Sequence, residues 1–144
     1  NASFFNVLKK EVLENKKPIL GICLGMQLLT KSSDEGVEKG LGWIDAQTVK
    51  FSITKEQYSI PHMGWNKTNP KNTNTLFKDL NENRFYFVHS YHVICNDSKN
   101  ILATTFYSKL FVSAICRDNI YGVQFHPEKS HKFGMQLLKN FGQM

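Results

Sequence analysis

The stretch PILGICLGMQLL, Pro18 to Leu29, changes its hydrophobic period in the middle. Ile19, Leu20 and Ile22 make a short apolar run with the character of a buried strand. Leu24, Met26, Leu28 and Leu29 instead lie along the apolar side of a helix. Cys23 stands at the junction, flanked by Gly21 and Gly25. A tight strand-to-helix turn lifts its apex residue out of the backbone, and glycines on either side remove side chains that would crowd it. The pattern predicts an α/β unit that raises a thiol at the end of a strand.

Working outward, Phe4, Phe5, Leu8 and Val12 recur at helical spacing, so residues 2–15 read as an amphipathic helix, and residues 24–32 as a second one. A chain that starts at Asn1 and is helical from its first residues reads as part of a longer domain. Residues 32–43 (SSDEGVEKGLGW) carry three glycine breakers and predict a loop. QTVKFSI alternates like a half-exposed strand, and YSIPHMGWN reads as a strand broken by Pro61. KTNPKNTNTLFKDL is polar and predicts a loop with a short helix. RFYFVHSYHVIC, ILATTFY, LFVSAICR and IYGVQF follow as strands, and HKFGMQLLKNF places Phe133, Leu137, Leu138 and Phe141 on one helical face. Helices framing a strand-rich middle predict one α/β domain over residues 1–144, with a mixed, mostly parallel sheet flanked by helices.

Composition narrows the function. With 144 residues, 41 % of them hydrophobic, the chain can bury one core. The net charge is +6, but only Lys9-Lys10 and Lys16-Lys17 are adjacent cations. Such dispersion describes a solvated lysine-rich surface and not the stripe of a nucleic-acid reader. An apolar run long enough to span a membrane is absent from the sequence. The cysteines are Cys23, Cys95 and Cys116, with no metal-like spacing among them. They predict neither a disulfide scaffold nor a metal site, and they fit a reducing cytoplasm. Cys95 and Cys116, in strand-like runs, read as small buried hydrophobes.

A nucleophilic thiol needs a base to take its proton and a third group to orient that base. Of five histidines, His126 has the most informative setting: GVQF is a strand, Pro127 fixes the backbone past it, and Glu128 can curl back towards the ring. Cys23, His126 and Glu128 can thus form a Cys-His-Glu triad. The GICLG turn is a sulfur counterpart of the G-x-S-x-G elbow, where the amide after the nucleophile donates to the oxyanion; here that residue is Leu24.

GICLGMQLL and GVQFHPEKS resemble the two signature segments of the triad-type (class I) glutamine amidotransferases. PHMGWN and YFVHSYH further resemble the glutaminase subunits of imidazole glycerol phosphate synthases, and the four segments keep the family order from about Asn15 onward. The resemblance implies hydrolysis of L-glutamine to glutamate and ammonia through a cysteinyl thioester at Cys23. His126 would be the general base and acid, Glu128 the orienting carboxylate, and Leu24 an oxyanion donor. It implies substrate contacts at Gln27, His89, Ser90 and Tyr91. It places Tyr86, Lys129 and Trp65 against an ammonia-accepting (β/α)₈ cyclase subunit in a heterodimer for histidine biosynthesis. No cofactor, metal, nucleic acid or membrane is implied, and the setting is cytoplasmic. Two departures qualify the match. The family's N-terminal part, with a glycine-rich loop supplying a second oxyanion amide, has no counterpart here; a lone 144-residue chain would then turn over weakly. GLGWIDA and EKSHKFG, with His131 where glycine is usual, lean towards paralogues that supply ammonia to surface-sugar amidotransferases. A non-catalytic partner-binding module is the remaining alternative.

Overall fold

The computed structural model of the chain describes residues 2–36, 39–53, 56–71 and 75–144. Parts of the expected loop over 32–43 and of the polar stretch over 67–80 lie outside these residues.

The chain opens with helix α1, Ala2–Lys9, which widens into a π turn over Lys10–Glu14. Strand β1, Ile19–Ile22, follows, then Cys23 and helix α2, Leu24–Leu28. This helix is shorter than its apolar pattern suggests, because the Thr30 hydroxyl donates to the Gln27 carbonyl at 2.7 Å and closes the last turn. Next come β2 (Ser32–Ser33), β3 (Ala46–Lys50), β4 (His62–Pro70), β5 (Arg84–His89), β6 (Tyr91–Cys95), β7 (Ile101–Tyr107), β8 (Lys109–Arg117) and β9 (Ile120–Val123). A 3₁₀ turn, Pro127–Lys129, leads into α3, His131–Gly142. RFYFVHSYHVIC is two strands rather than one: Ser90 breaks it, and β5 and β6 take different partners, β5 pairing with β4 and β6 with β3 and β8.

The strand order is β2-β3-β6-β8-β7-β4-β5, with β9 on β8 and β1 on β9. The α/β class holds, with helices beside a central mixed sheet. The expected parallel majority does not: only β1–β9 and β2–β3 pair in parallel among the described strands. The cause is the short connection between neighbours such as β7 and β8, joined through Ser108 alone; a crossover returning a strand in parallel needs a dozen or more residues.

Two apolar clusters hold the sheet. One joins Phe77, Phe85, Phe87, Phe125 and Leu137; the other joins Val12, Met26, Leu29, Trp43 and Ile44. β8 feeds both, Phe111 into the first and Val112 into the second, since successive strand residues face opposite sides. Phe85 of β5 stacks on Phe125, just past β9, with centroids 3.9 Å apart. That contact seats the segment leading to His126.

Gly21 is where β1 meets α2. A Cβ there would lie 2.6 Å from the carbonyl carbon and oxygen of Gly25, and backbone cannot swing aside as a side chain can. Gly21→Ala is therefore expected to cost about 1–3 kcal/mol, read as a lower urea midpoint with unchanged m-value. An unchanged midpoint would show that the elbow tolerates a methyl group.

Candidate active site

Parallel pairing of β1 with β9 ends at Ile22↔Val123, so Cys23 and Gln124 leave the sheet side by side at the carboxyl ends of their strands. Open α/β sheets place their ligands at that edge. The Cys23 N–H donates to the Val123 carbonyl at 2.8 Å, fixing the first residue of the turn. The Cys23 backbone then adopts φ 54° and ψ −105°, in the positive-φ region where a side chain is strained. Gly21 makes that turn passable by letting the start of α2 approach β1, whereas a Cβ at Gly25 would meet open space.

His126 lies just past β9, and its ring Nδ1 is 2.5 Å from the Glu128 carboxylate. The imidazole is mostly covered and the carboxylate half exposed. The histidine backbone is braced from two sides. Its N–H donates to the Tyr86 carbonyl at 2.9 Å, and its carbonyl accepts from the Ser130 hydroxyl at 2.6 Å. The same hydroxyl accepts from the Tyr86 N–H at 2.9 Å, so buried Ser130 pins the HPE turn to β5.

The sulfur is half-buried, and burial pushes the Cys23 thiol above its ordinary value. The Leu24 amide, a hydrogen bond from Gln124 and the Lys129 charge act in the opposite sense, while the Glu128 charge adds to the rise. Cys23, Glu128 and Lys129 therefore share one electrostatic neighbourhood. Among the described residues the sulfur's hydrogen-bond partners are the Val88 carbonyl, to which the thiol donates at 3.8 Å, and the Gln124 amide, which donates to it at 3.6 Å.

Beside the elbow lies an open cleft. The exposed side chains of Leu24 and Leu28 form apolar walls, with Gln27, Ser33, Glu35 and Lys39 also lining it. Gln27 is buried, and its amide nitrogen donates to the Tyr91 carbonyl and to Gln124. His89 does not fit the expectation of a substrate contact. It is buried against Phe51, Phe87 and Phe111, with Nδ1 2.8 Å from the Tyr91 carbonyl and Nε2 2.9 Å from His62 Nδ1. With both nitrogens engaged it has none to offer a ligand. Its strand position explains this: in β5 the residues at 85, 87 and 89 point inward. Ser90 and Tyr91, at the break after β5, are half-buried.

Trp65, 42 % exposed, lies edge-on to Tyr86 and stacks on His131 with centroids 5.6 Å apart. Met63, 61 % exposed, is on the same strand. His131 holds φ 48°, a conformation glycine would adopt without strain. Two residues of this site, Glu35 and Lys39, had no clear sequence signal. Gln124 did have one, as a polar residue inside the apolar run IYGVQF.

The class-I glutamine amidotransferase family pattern matches residues 3–143. This chain belongs to that family. The subunit HisH 2 of imidazole glycerol phosphate synthase from Methanococcus maripaludis is 61 % identical over 137 residues, covering 94 % of this chain and 67 % of that protein. HisH 2 of Pseudomonas aeruginosa is 49 % identical with the same coverage, and HisH of Leptospira borgpetersenii 47 % identical, covering 96 % of this chain and 70 % of that one. The fold is also that of PurLQS from Thermotoga maritima (TM-score 0.70, 18 % identity, 96 % of this chain and 66 % of that chain). A glutamine amidotransferase from the same organism is similar as well (TM-score 0.63, 20 % identity, 99 % of this chain). The chain spans about half, 54 %, of that second structure.

His62 and His92 are buried like His89, and burial lowers them to about 4, about 4 and about 3 in the order His62, His92, His89. All three are neutral in the folded state, whereas the unfolded chain binds their protons as pH drops below about 6.5. The unfolded state then holds more protons, so stability is complete above that pH and is lost as pH falls from 6.5 to about 4 for His62 and His92 and to about 3 for His89. The slope approaches about 1.4 kcal/mol per pH unit for each histidine. Urea midpoints should be flat from pH 7 to 8 and fall steeply towards pH 4.5. The fall should be shallower in His89→Gln, and an equal slope in both would show that His89 is not held neutral.

Proposed function

We propose that this chain belongs to a cytoplasmic glutaminase subunit, with residues 1–144 in its glutamine amidotransferase domain. It hydrolyses L-glutamine to L-glutamate and ammonia, and passes the ammonia to a (β/α)₈ cyclase subunit in a heterodimer for imidazole glycerol phosphate synthesis in histidine biosynthesis. The observation that carries this reading is the junction of the two signature segments: a strained Cys23 and a Glu128-bonded His126 at the ends of adjacent parallel strands. The HisH relatives at 47–61 % identity support the histidine pathway over a sugar-modifying one.

Glutamine enters the cleft with its carboxamide over Cys23. Gln27, which lines the cleft, and the Ser90–Tyr91 break are the candidates for holding the α-amino-acid head group. His126 takes the thiol proton, and Glu128 on Nδ1 steadies the imidazolium. The thiolate adds to the carboxamide carbon, and the Leu24 amide donates to the oxyanion as it forms. Collapse of the adduct breaks the C–N bond, and the imidazolium proton leaves with ammonia. Water, deprotonated by His126, then adds to the thioester, and its collapse releases glutamate and returns the proton to sulfur. No step requires a metal or an organic cofactor.

The partner surface in this reading is the exposed face of Met63, Trp65, Tyr86 and Lys129, contiguous with the HPE turn. Ammonia released into bulk water would be largely protonated and so a poor nucleophile, and a partner docked over the site would receive it before that happens.

Cys23→Ala is expected to lower ammonia release from glutamine at least about 10³-fold, as removal of a covalent nucleophile does, with thermal unfolding unchanged within a few degrees. Ammonia release near the wild-type rate would remove Cys23 from its role. Because Lys129 acts on the thiol from beside Glu128, Lys129→Ala should weaken stimulation by the cyclase subunit more than it changes the unstimulated rate. An equal fall in both rates would dissociate Lys129 from coupling.

A further inference from the structure

We propose that Gln124 is a positioning residue for Cys23: a buried two-amide relay, Gln27 to Gln124 to the sulfur, presents an N–H donor to the sulfur and stabilises its thiolate form. This rests on the reading of Cys23 as the nucleophile.

The orientation follows from one carbonyl. The backbone oxygen of Tyr91 can only accept. It takes a hydrogen bond from His89 Nδ1 at 2.8 Å, and Gln27 approaches it at 3.4 Å. The Gln27 atom facing it must therefore be the amide nitrogen, Nε2. That same nitrogen is 3.2 Å from the Gln124 side chain, so the Gln124 atom on that side must be its oxygen. The Gln124 nitrogen is then forced to the other side, 3.6 Å from Cys23 Sγ. Flipping Gln124 would set two donors against each other at Gln27 and turn a carbonyl oxygen on the sulfur. Because Gln124 is fully buried, water cannot relieve either conflict.

The carbonyl at the head of the relay is itself held in a polarised set. His89 donates from Nδ1, so its Nε2 is the acceptor, and His62 must donate from Nδ1 across 2.9 Å. His62 Nε2 is left as an acceptor, and Asn66 Nδ2 supplies the proton at 3.1 Å. A single tautomer therefore satisfies both imidazoles and leaves the Tyr91 oxygen as the shared sink. The resting thiol proton points to the Val88 carbonyl, while a sulfur lone pair takes the Gln124 N–H. Loss of the thiol proton strengthens the Gln124 contact, because a hydrogen bond to the charged form favours that form. The relay opposes the desolvation that raises the thiol.

The test reads the thiolate directly, without glutamine. Alkylation of Cys23 by iodoacetamide is followed against pH by peptide mass mapping in the wild-type chain, Gln124→Leu and Gln124→Glu. Leucine removes the donor at similar volume, and glutamate puts an acceptor on the sulfur. We expect the Cys23 alkylation rate at pH 7.5 to fall about 3- to 10-fold in Gln124→Leu and further in Gln124→Glu, with the midpoint moving up in the same order. Cys95 serves as the internal reference and should not change. A midpoint in Gln124→Leu equal to the wild type overturns the proposal, as does a faster rate in Gln124→Glu. If either variant does not fold, the wild type decides. The Gln124 side-chain N–H resonances should move downfield with the midpoint of Cys23 ionisation, and resonances that stay fixed across it overturn the relay. Ammonia release that survives in Cys23→Ala would instead refute the nucleophile reading, whatever the alkylation profiles show, so the two fail separately.

Discussion

Everything at the site depends on four residues of β1 lying parallel to four residues of β9. Two segments a hundred positions apart in the chain leave the sheet at the same edge because their last paired residues are Ile22 and Val123. The Val123 carbonyl then holds the first N–H of the turn. A shift of one residue in this register would reverse which side each side chain faces, sending Cys23 and Gln124 apart. β9 is also tied to β8 over Ala114–Arg117, while β1 has β9 as its one partner among the described strands, so β9 is what joins the elbow to the rest of the sheet.

The strain at Cys23 is tolerated because its surroundings leave no alternative. The residue is held at its N–H by β9 and followed at once by α2, and Gly21 lets that helix pass close to β1. Strained backbone of this kind costs on the order of 1–3 kcal/mol and persists only where neighbouring contacts over-determine it. Here the neighbouring contact is the core itself, with Met26 of α2 fully buried. The HPE turn is fixed differently, by polar bonds instead of apolar packing. Ser130 ties both Tyr86 and His126 together, so the base and the strand that carries Tyr86 move as one body.

A second feature is the amount of polar chemistry placed in the interior. His62, His89, Gln27 and Gln124 are all buried, and each finds a partner. Buried polar groups are costly unless every donor meets an acceptor, and a satisfied set then allows only one arrangement. That constraint turns an ordinary interior into one that specifies which atom faces the sulfur. On the outside, by contrast, Met63 and Trp65 leave large apolar surface next to the HPE turn, with His131 stacked across the indole.

Local pattern was enough to place the elbow at Cys23, the His126–Glu128 spacing and most of the strands, because each rests on periodicity or turn chemistry within a dozen residues. The family could also be read there, since its motifs are contiguous. The strand pairing could not be. RFYFVHSYHVIC has one continuous β character, yet Ser90 divides it because its halves find different partners, and partner choice is a property of the whole sheet. The same holds for direction, which short connections made antiparallel where helices at both ends suggested a parallel majority. His89 shows the limit most clearly. Its segment looks like a substrate-binding stretch, but in β5 the alternation of strand residues turns its ring into the core. Which polar residues meet, Gln27 with Gln124 and Ser130 with Tyr86, is likewise decided only when distant strands are brought to one edge, because a hydrogen bond depends on atoms in space and leaves no period in the chain.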